Sequence, residues 1–181
     1  MNFAALFLYI ASAPVVVMSH LGMGESDFGW FFVPVISGML AGAWATGRAA
    51  GRFAARTMVM AGFACCLVAA LANLAYAAIA PGYVYPWAIL PLILLSFGVA
   101  LVFPQLMLQL LDLYPTQRGS ASSMQAFLSL MFQAGVAGLL SPMLSASPLF
   151  LALAAAALSA LAFGLWRWGD AHLMRRAVAM A

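Results

Sequence analysis

Six stretches of about twenty apolar residues, each closed by glycine, proline or a short polar turn, decide what this chain can become. A helix needs about 20 apolar residues to cross a bilayer core about 30 Å thick. Inside lipid every backbone amide must find its partner within the protein, so each stretch reads as a helix. The expected helices cover about residues 2–21, 28–47, 57–80, 86–111, 119–141 and 147–168, followed by a cytoplasmic tail at 169–181. The breaks fall at 22–27, 47–52, Pro81-Gly82, 112–119 and 141–147, where Gly and Pro supply or forbid particular backbone angles. The fold class is therefore an all-α membrane protein, a six-transmembrane-helix bundle.

Composition excludes the alternatives. The chain is 67% hydrophobic and 6% charged, whereas a soluble domain carries about 25% charged residues. Seven basic and four acidic residues cannot clothe 181 residues in a water-facing shell. A soluble enzyme, a nucleic-acid binder and a disordered segment are excluded, and the lipid bilayer is the first partner. The net charge of +3 leaves no nucleic-acid footprint. Cys65 and Cys66 are adjacent and fall mid-helix, where they read as small packing residues rather than a disulfide or a metal site. No metal and no cofactor is expected.

The arginines set the orientation. Arg48, Arg52 and Arg56 lie in or beside the second loop, Arg118 lies in the fourth, and Arg167, Arg175 and Arg176 lie at or after the end of the last helix. In a six-span chain all of these fall on one side, while the opposite loops carry Glu25 and Asp27. The positive-inside rule makes the arginine side cytoplasmic, with both termini there. Trp30, Tyr83, Tyr85 and Trp87 fall at the outer interface, and Trp44, Tyr114, Trp166 and Trp168 near the inner one, as amphipathic rings prefer. Met1 opens almost directly into apolar sequence with no basic residue before it, which reads as a span once preceded by more protein rather than as a signal peptide.

Polar residues are unevenly shared among the helices. Positions three, four and seven apart share a helical face. The first helix places Asn2, Tyr9, Ser12 and Ser19 in one sector; the fourth has Gln105, Gln109 and Asp112 at i, i+4 and i+7. The fifth has the cleanest stripe, Ser122, Gln125, Ser129 and Gln133, while the third has little beyond Asn73 and the sixth only Ser159. A polar stripe in lipid is costly unless it faces other helices or water. Two readings follow: hydrogen bonds between helices, or a common polar cavity, which better accounts for three helices sharing the habit. Pro14, Pro34, Pro91, Pro104 and Pro142 are expected to kink or end spans. Gly38 and Gly42 are spaced for close helix contact. No charged residue lies deep in any span, and Asp112 comes nearest, so these spans lack the buried carboxylate a proton relay requires.

Three stretches carry a family resemblance. Gly42 to Arg56 reads GAWATGRAAGRFAAR and resembles the second copy of the Gly- and Arg-rich cytoplasmic loop of major facilitator superfamily transporters. Asp112 to Gln125, DLYPTQRGSASSMQ, resembles the loop before the eleventh helix in the Bcr/CflA-like drug-efflux branch, and Asn2 to Pro14, NFAALFLYIASAP, is similar to the seventh helix of that branch. The resemblance implies the C-terminal six-helix half of such a fold, in a bacterial inner (plasma) membrane. It implies export of small amphipathic organic compounds or drugs by alternating access. The partner would be an N-terminal six-helix half, in the same gene or a separate chain, or a second copy of this chain.

On this reading Tyr9, Ser12, Gln105, Gln109, Gln125, Ser129 and Gln133 form the substrate-binding wall, with Tyr9 offering a stacking face. Arg48, Arg52, Arg56, Asp112 and Arg118 form a cytoplasmic gating set, although the acidic residue of the family's first loop copy has no counterpart here. Two other functions stay open. A non-transporting or partner-dependent membrane subunit fits the same composition. An intramembrane hydrolase would need a serine beside a base, and His20 and His172 lie on opposite sides of the bilayer without one.

Overall fold

The computed structural model describes residues 2–79 and 84–179, and the expected turn at Pro81-Gly82, like Tyr83, lies outside them. The described residues form helices joined by short turns. The first span is α1 (Asn2–Ala11), α2 (Ala13–Val15) and a π-helical turn, Val16–His20. α3 (Phe28–Ala49), α4 (Ala55–Ile79) and α5 (Leu90–Leu113) are unbroken. The fifth span is α6 (Arg118–Gly135), a π-helical turn at Val136–Leu140 and α7 (Ser141–Leu144). α8 (Pro148–Ala179) closes the chain. Five helical stretches are long and apolar enough to cross a bilayer, and the bent first span makes a sixth. This is an all-α membrane bundle. Its surface agrees, because Trp30, Val33, Leu40, Trp44, Val68, Leu71 and Leu161 are exposed where acyl chains would cover them.

Local chemistry explains the ends. Gly22 and Gly51 adopt left-handed backbone angles (φ 64° and 76°), which end the first span and α3 without strain. Ser12 interrupts the first span just before Pro14, which has no amide to donate, and the halves bend by 55°. The expected end of the last helix at 168 is not a break: α8 continues to Ala179. Trp168 stacks edge-on against His172 with ring centroids 4.7 Å apart, and Asp170 on the same extension pairs with Arg56 at 3.0 Å.

Glycines let the central helices touch. α5 lies between α3 and α4, α4 also packs on α8, and α8 packs on α1. A Cβ on Gly42 would come within 2.6 Å of the Phe97 carbonyl, and one on Gly98 within 2.7 Å of the Gly62 carbonyl. The spacing of Gly38 and Gly42 thus marks a real seam, and Gly62 with Gly98 marks a second. Between helices in lipid, such close backbone approach replaces the hydrophobic drive available in water. Phe31, Leu95, Val99, Tyr9, Leu6 and Leu151 fill the core around these seams.

The contacts have a symmetry. If the first three spans are exchanged for the last three, α4 on α5 becomes α8 on α1, and α3 on α5 becomes α6 on α1. Because three spans carry the chain across the bilayer an odd number of times, the two triplets run in opposite senses, as an inverted repeat does.

The seams predict the response to added bulk. Gly98→Ala should destabilise the bundle by about 1–3 kcal/mol through overpacking against backbone. Gly164→Ala, whose Cβ would meet nothing within 4 Å, should leave thermal unfolding in detergent unchanged.

Candidate functional site

α6 positions the clearest polar face of the molecule. Gln125, Ser129 and Gln133 recur at helical spacing, and the Gln125 amide donates to the Ser129 hydroxyl at 3.0 Å. The three line a cavity of about 500 Å³ between α1, α3, α5 and α6, walled elsewhere by Phe3, Met39, Phe103, Leu106 and Phe132. A second, more open hollow of about 810 Å³ lies between the arginine-side ends of α5 and α6. Its wall includes Tyr114, Gln117, Ser120 and Met124. The two hollows share Gln125, Ser129 and Phe132, so α6 is the partition between them. Ser122, at the foot of the stripe, turns back to the Gly119 carbonyl of its own helix.

Every described residue lining the two hollows is uncharged. Aromatic and aliphatic walls with a few amides and hydroxyls hold a ligand by area and orient it by hydrogen bonds. Neither wall supplies a nucleophile beside a base, and no group of three metal-ligating side chains occurs among the described residues.

The remaining expected wall residues go elsewhere. Tyr9 and Ser12 are buried, 2% and 1% exposed, and face the bundle interior instead of either hollow. The Asn73 amide on α4 donates to the Tyr9 hydroxyl, and the Ser12 and Ser141 hydroxyls bond at 2.8 Å. A hydroxyl in a dry core needs a partner, and these pairs supply one. Tyr9 therefore offers no stacking face to the cavity. Gln105 is half-buried and Gln109 exposed, and neither borders a hollow, although their neighbours Leu106 and Leu110 do. The Asn2 side chain lies outside the described residues.

The expected gating set divides into local and bridging contacts. Arg48 lies over the Trp44 ring, 4.5 Å from its centroid. Arg118 and Asp112, both exposed, stand 3.6 Å apart across the turn between α5 and α6. Arg56 reaches a distant element, Asp170 of α8, and so ties the start of the third span to the sixth. Arg52 is exposed beside Gly51.

Sequence reasoning passed over Asn73, Ser141, His20 and Asp170 as contact residues. The signals existed: Asn73 is the one amide in its span, and Ser141-Pro142 echoes Ser12-Ala13-Pro14.

Comparisons with known proteins agree with the membrane reading. Over 96 residues the chain is 30% identical to the multidrug transporter MdfA of Edwardsiella piscicida, and equally to those of Edwardsiella tarda (strain FL6-60) and Edwardsiella ictaluri (strain 93-146). Each match takes in 53% of this chain and 23% of the relative, so it spans less than a quarter of the length of these relatives. No family model and no solved structure matches. The chain is a multi-pass membrane protein similar to multidrug transporters.

The buried pair at the first span yields a stability test. Tyr9→Phe leaves the Asn73 amide without its partner and should cost about 1–3 kcal/mol. Adding Asn73→Leu removes the orphan and should recover most of that loss in thermal unfolding.

Proposed function

We propose that this chain is one six-helix half of a major facilitator superfamily transporter that moves small amphipathic organic molecules by alternating access. The observation that carries the reading is the uncharged cavity on the polar face of α6, where Gln125, Ser129 and Gln133, with Phe132 beside them on the same helix, line one wall and Phe3 and Phe103 another. Such a wall suits neutral aromatic compounds that carry one or two hydrogen-bonding groups. Weak, adaptable contacts favour breadth over selectivity. The similarity to the MdfA multidrug transporters supports the same reading.

Transport by alternating access needs a second bundle across the cavity. The partner is an N-terminal six-helix half or a second copy of this chain, seated on the face formed by α1, α3, α5 and α6. Among the described residues no carboxylate lines either hollow. Arginine placement orients the chain with both termini in the cytoplasm of a bacterial cell, in the inner membrane. The wider hollow then opens inward.

Binding tests the site directly. The purified chain in lipid nanodiscs should bind a neutral aromatic dye with an amide or carbonyl group. Gln125→Leu with Gln133→Leu should weaken binding about ten- to thirtyfold, the worth of two net hydrogen bonds of about 1 kcal/mol each. Gln109→Leu, outside both hollows, should leave it unchanged. Equal affinity in the double variant and the parent would remove the assigned site.

A further inference from the structure

Among the described residues, the first and fifth spans share a construction that the other spans lack. Each contains a five-residue π-helical turn, Val16–His20 in one and Val136–Leu140 in the other. Each sets that turn beside a serine and a proline, Ser12 with Pro14 and Ser141 with Pro142. A π turn widens the helix and a proline removes an amide, so both spans are weakest at these points.

The two weak points are bonded to one another. Ser12 and Ser141 meet through their hydroxyls at 2.8 Å in a buried contact. Beyond them, towards the arginine-poor end, His20 Nε2 lies 2.7 Å from the carbonyl oxygen of Ser145. A carbonyl only accepts, so Nε2 carries the hydrogen. Ser145 is the C-terminal cap of α7, where helical carbonyls lack partners within their own helix. His20 therefore ties the end of one broken span onto the other. α6, below its own turn, has no fully buried residue and carries the polar stripe.

We propose that the first and fifth spans form one jointed gate. Its hinges are the Ser12–Pro14 break and the Val136–Leu140 turn, and its latch is His20 on the Ser145 carbonyl. The segments beyond the hinges move together, and α6 swings as the free arm between the two hollows. As a gate for substrate this rests on the transport reading; the joint and its latch are read from the contacts alone.

Hydrogen–deuterium exchange on the full chain in lipid nanodiscs tests the latch without measuring flux, so its outcome is separable from that of the dye experiment. His20→Phe cannot donate, whereas His20→Gln carries an amide N–H near the position of Nε2. In His20→Phe, amide exchange over both 13–20 and 141–145 should rise about three- to tenfold, the worth of one net hydrogen bond. α4 and α5 should exchange as in the parent, and His20→Gln should return both segments towards it. A rise confined to 13–20, a rise that extends through α4 and α5, no rise at all, or no recovery in His20→Gln would each overturn the coupled gate.

Discussion

In a bilayer, polar side chains have no bulk water to fall back on, and this constraint arranges most of the molecule. Many polar groups within the spans either meet another inside the protein or border a space that can hold water or ligand, although, among the described residues, Ser159 Oγ and Asn73 Oδ1 are buried without a hydrogen-bond partner and Gln105 and Gln109 border no hollow. Asn73 on Tyr9 and Ser12 on Ser141 take the first course. Gln125, Ser129 and Gln133 take the second. The buried pairs lock α1 to α4 and to the fifth span, and the open face of α6 is left beside the cavity.

Glycine performs the complementary task. Where α3, α4 and α5 run together, Gly38, Gly42, Gly62 and Gly98 bring backbones into contact, and these helices form the rigid part of the bundle. α6 carries no such seam: Gly119 and Gly135 face open space, as does Gly138 in the turn that follows, and the helix packs only lightly on α1 and α5. A tightly packed block with one lightly held helix is the arrangement that the proposed gate would use. The inverted pairing of the two triplets places the paired breaks where the first span meets the fifth.

Much of this was legible in the sequence, and the limits are instructive. Apolar length and turn residues marked where helices fall, because a bilayer sets the length of whatever crosses it, but the last helix runs on to Ala179, well past its expected end at 168. Gly38 and Gly42 announced their seam by spacing. The i, i+4 repeat of Gln125, Ser129 and Gln133 fixed a common face, and that face does border a cavity. Periodicity gives an angle about one helix's own axis, however, and says nothing of which neighbour stands at that angle. Tyr9 and Ser12 share a sector just as well, yet that sector points at Asn73 and Ser141. The partner of Arg56 was hidden for a related reason, since Asp170 sits on a helical extension that a boundary at 168 had assigned to a tail.

The central claim is that one face of α6 is wet and the opposite face is greasy. Single cysteines placed along α6, in a chain with Cys65 and Cys66 replaced by alanine, can be reacted with a small membrane-impermeant thiol reagent applied from the arginine-rich side. The account predicts fast reaction at 125, 129 and 133, which border the hollows, and slow reaction at 127, 131 and 134, which do not. Reactivity that ignores this period, or that is lowest at the three stripe positions, would contradict it.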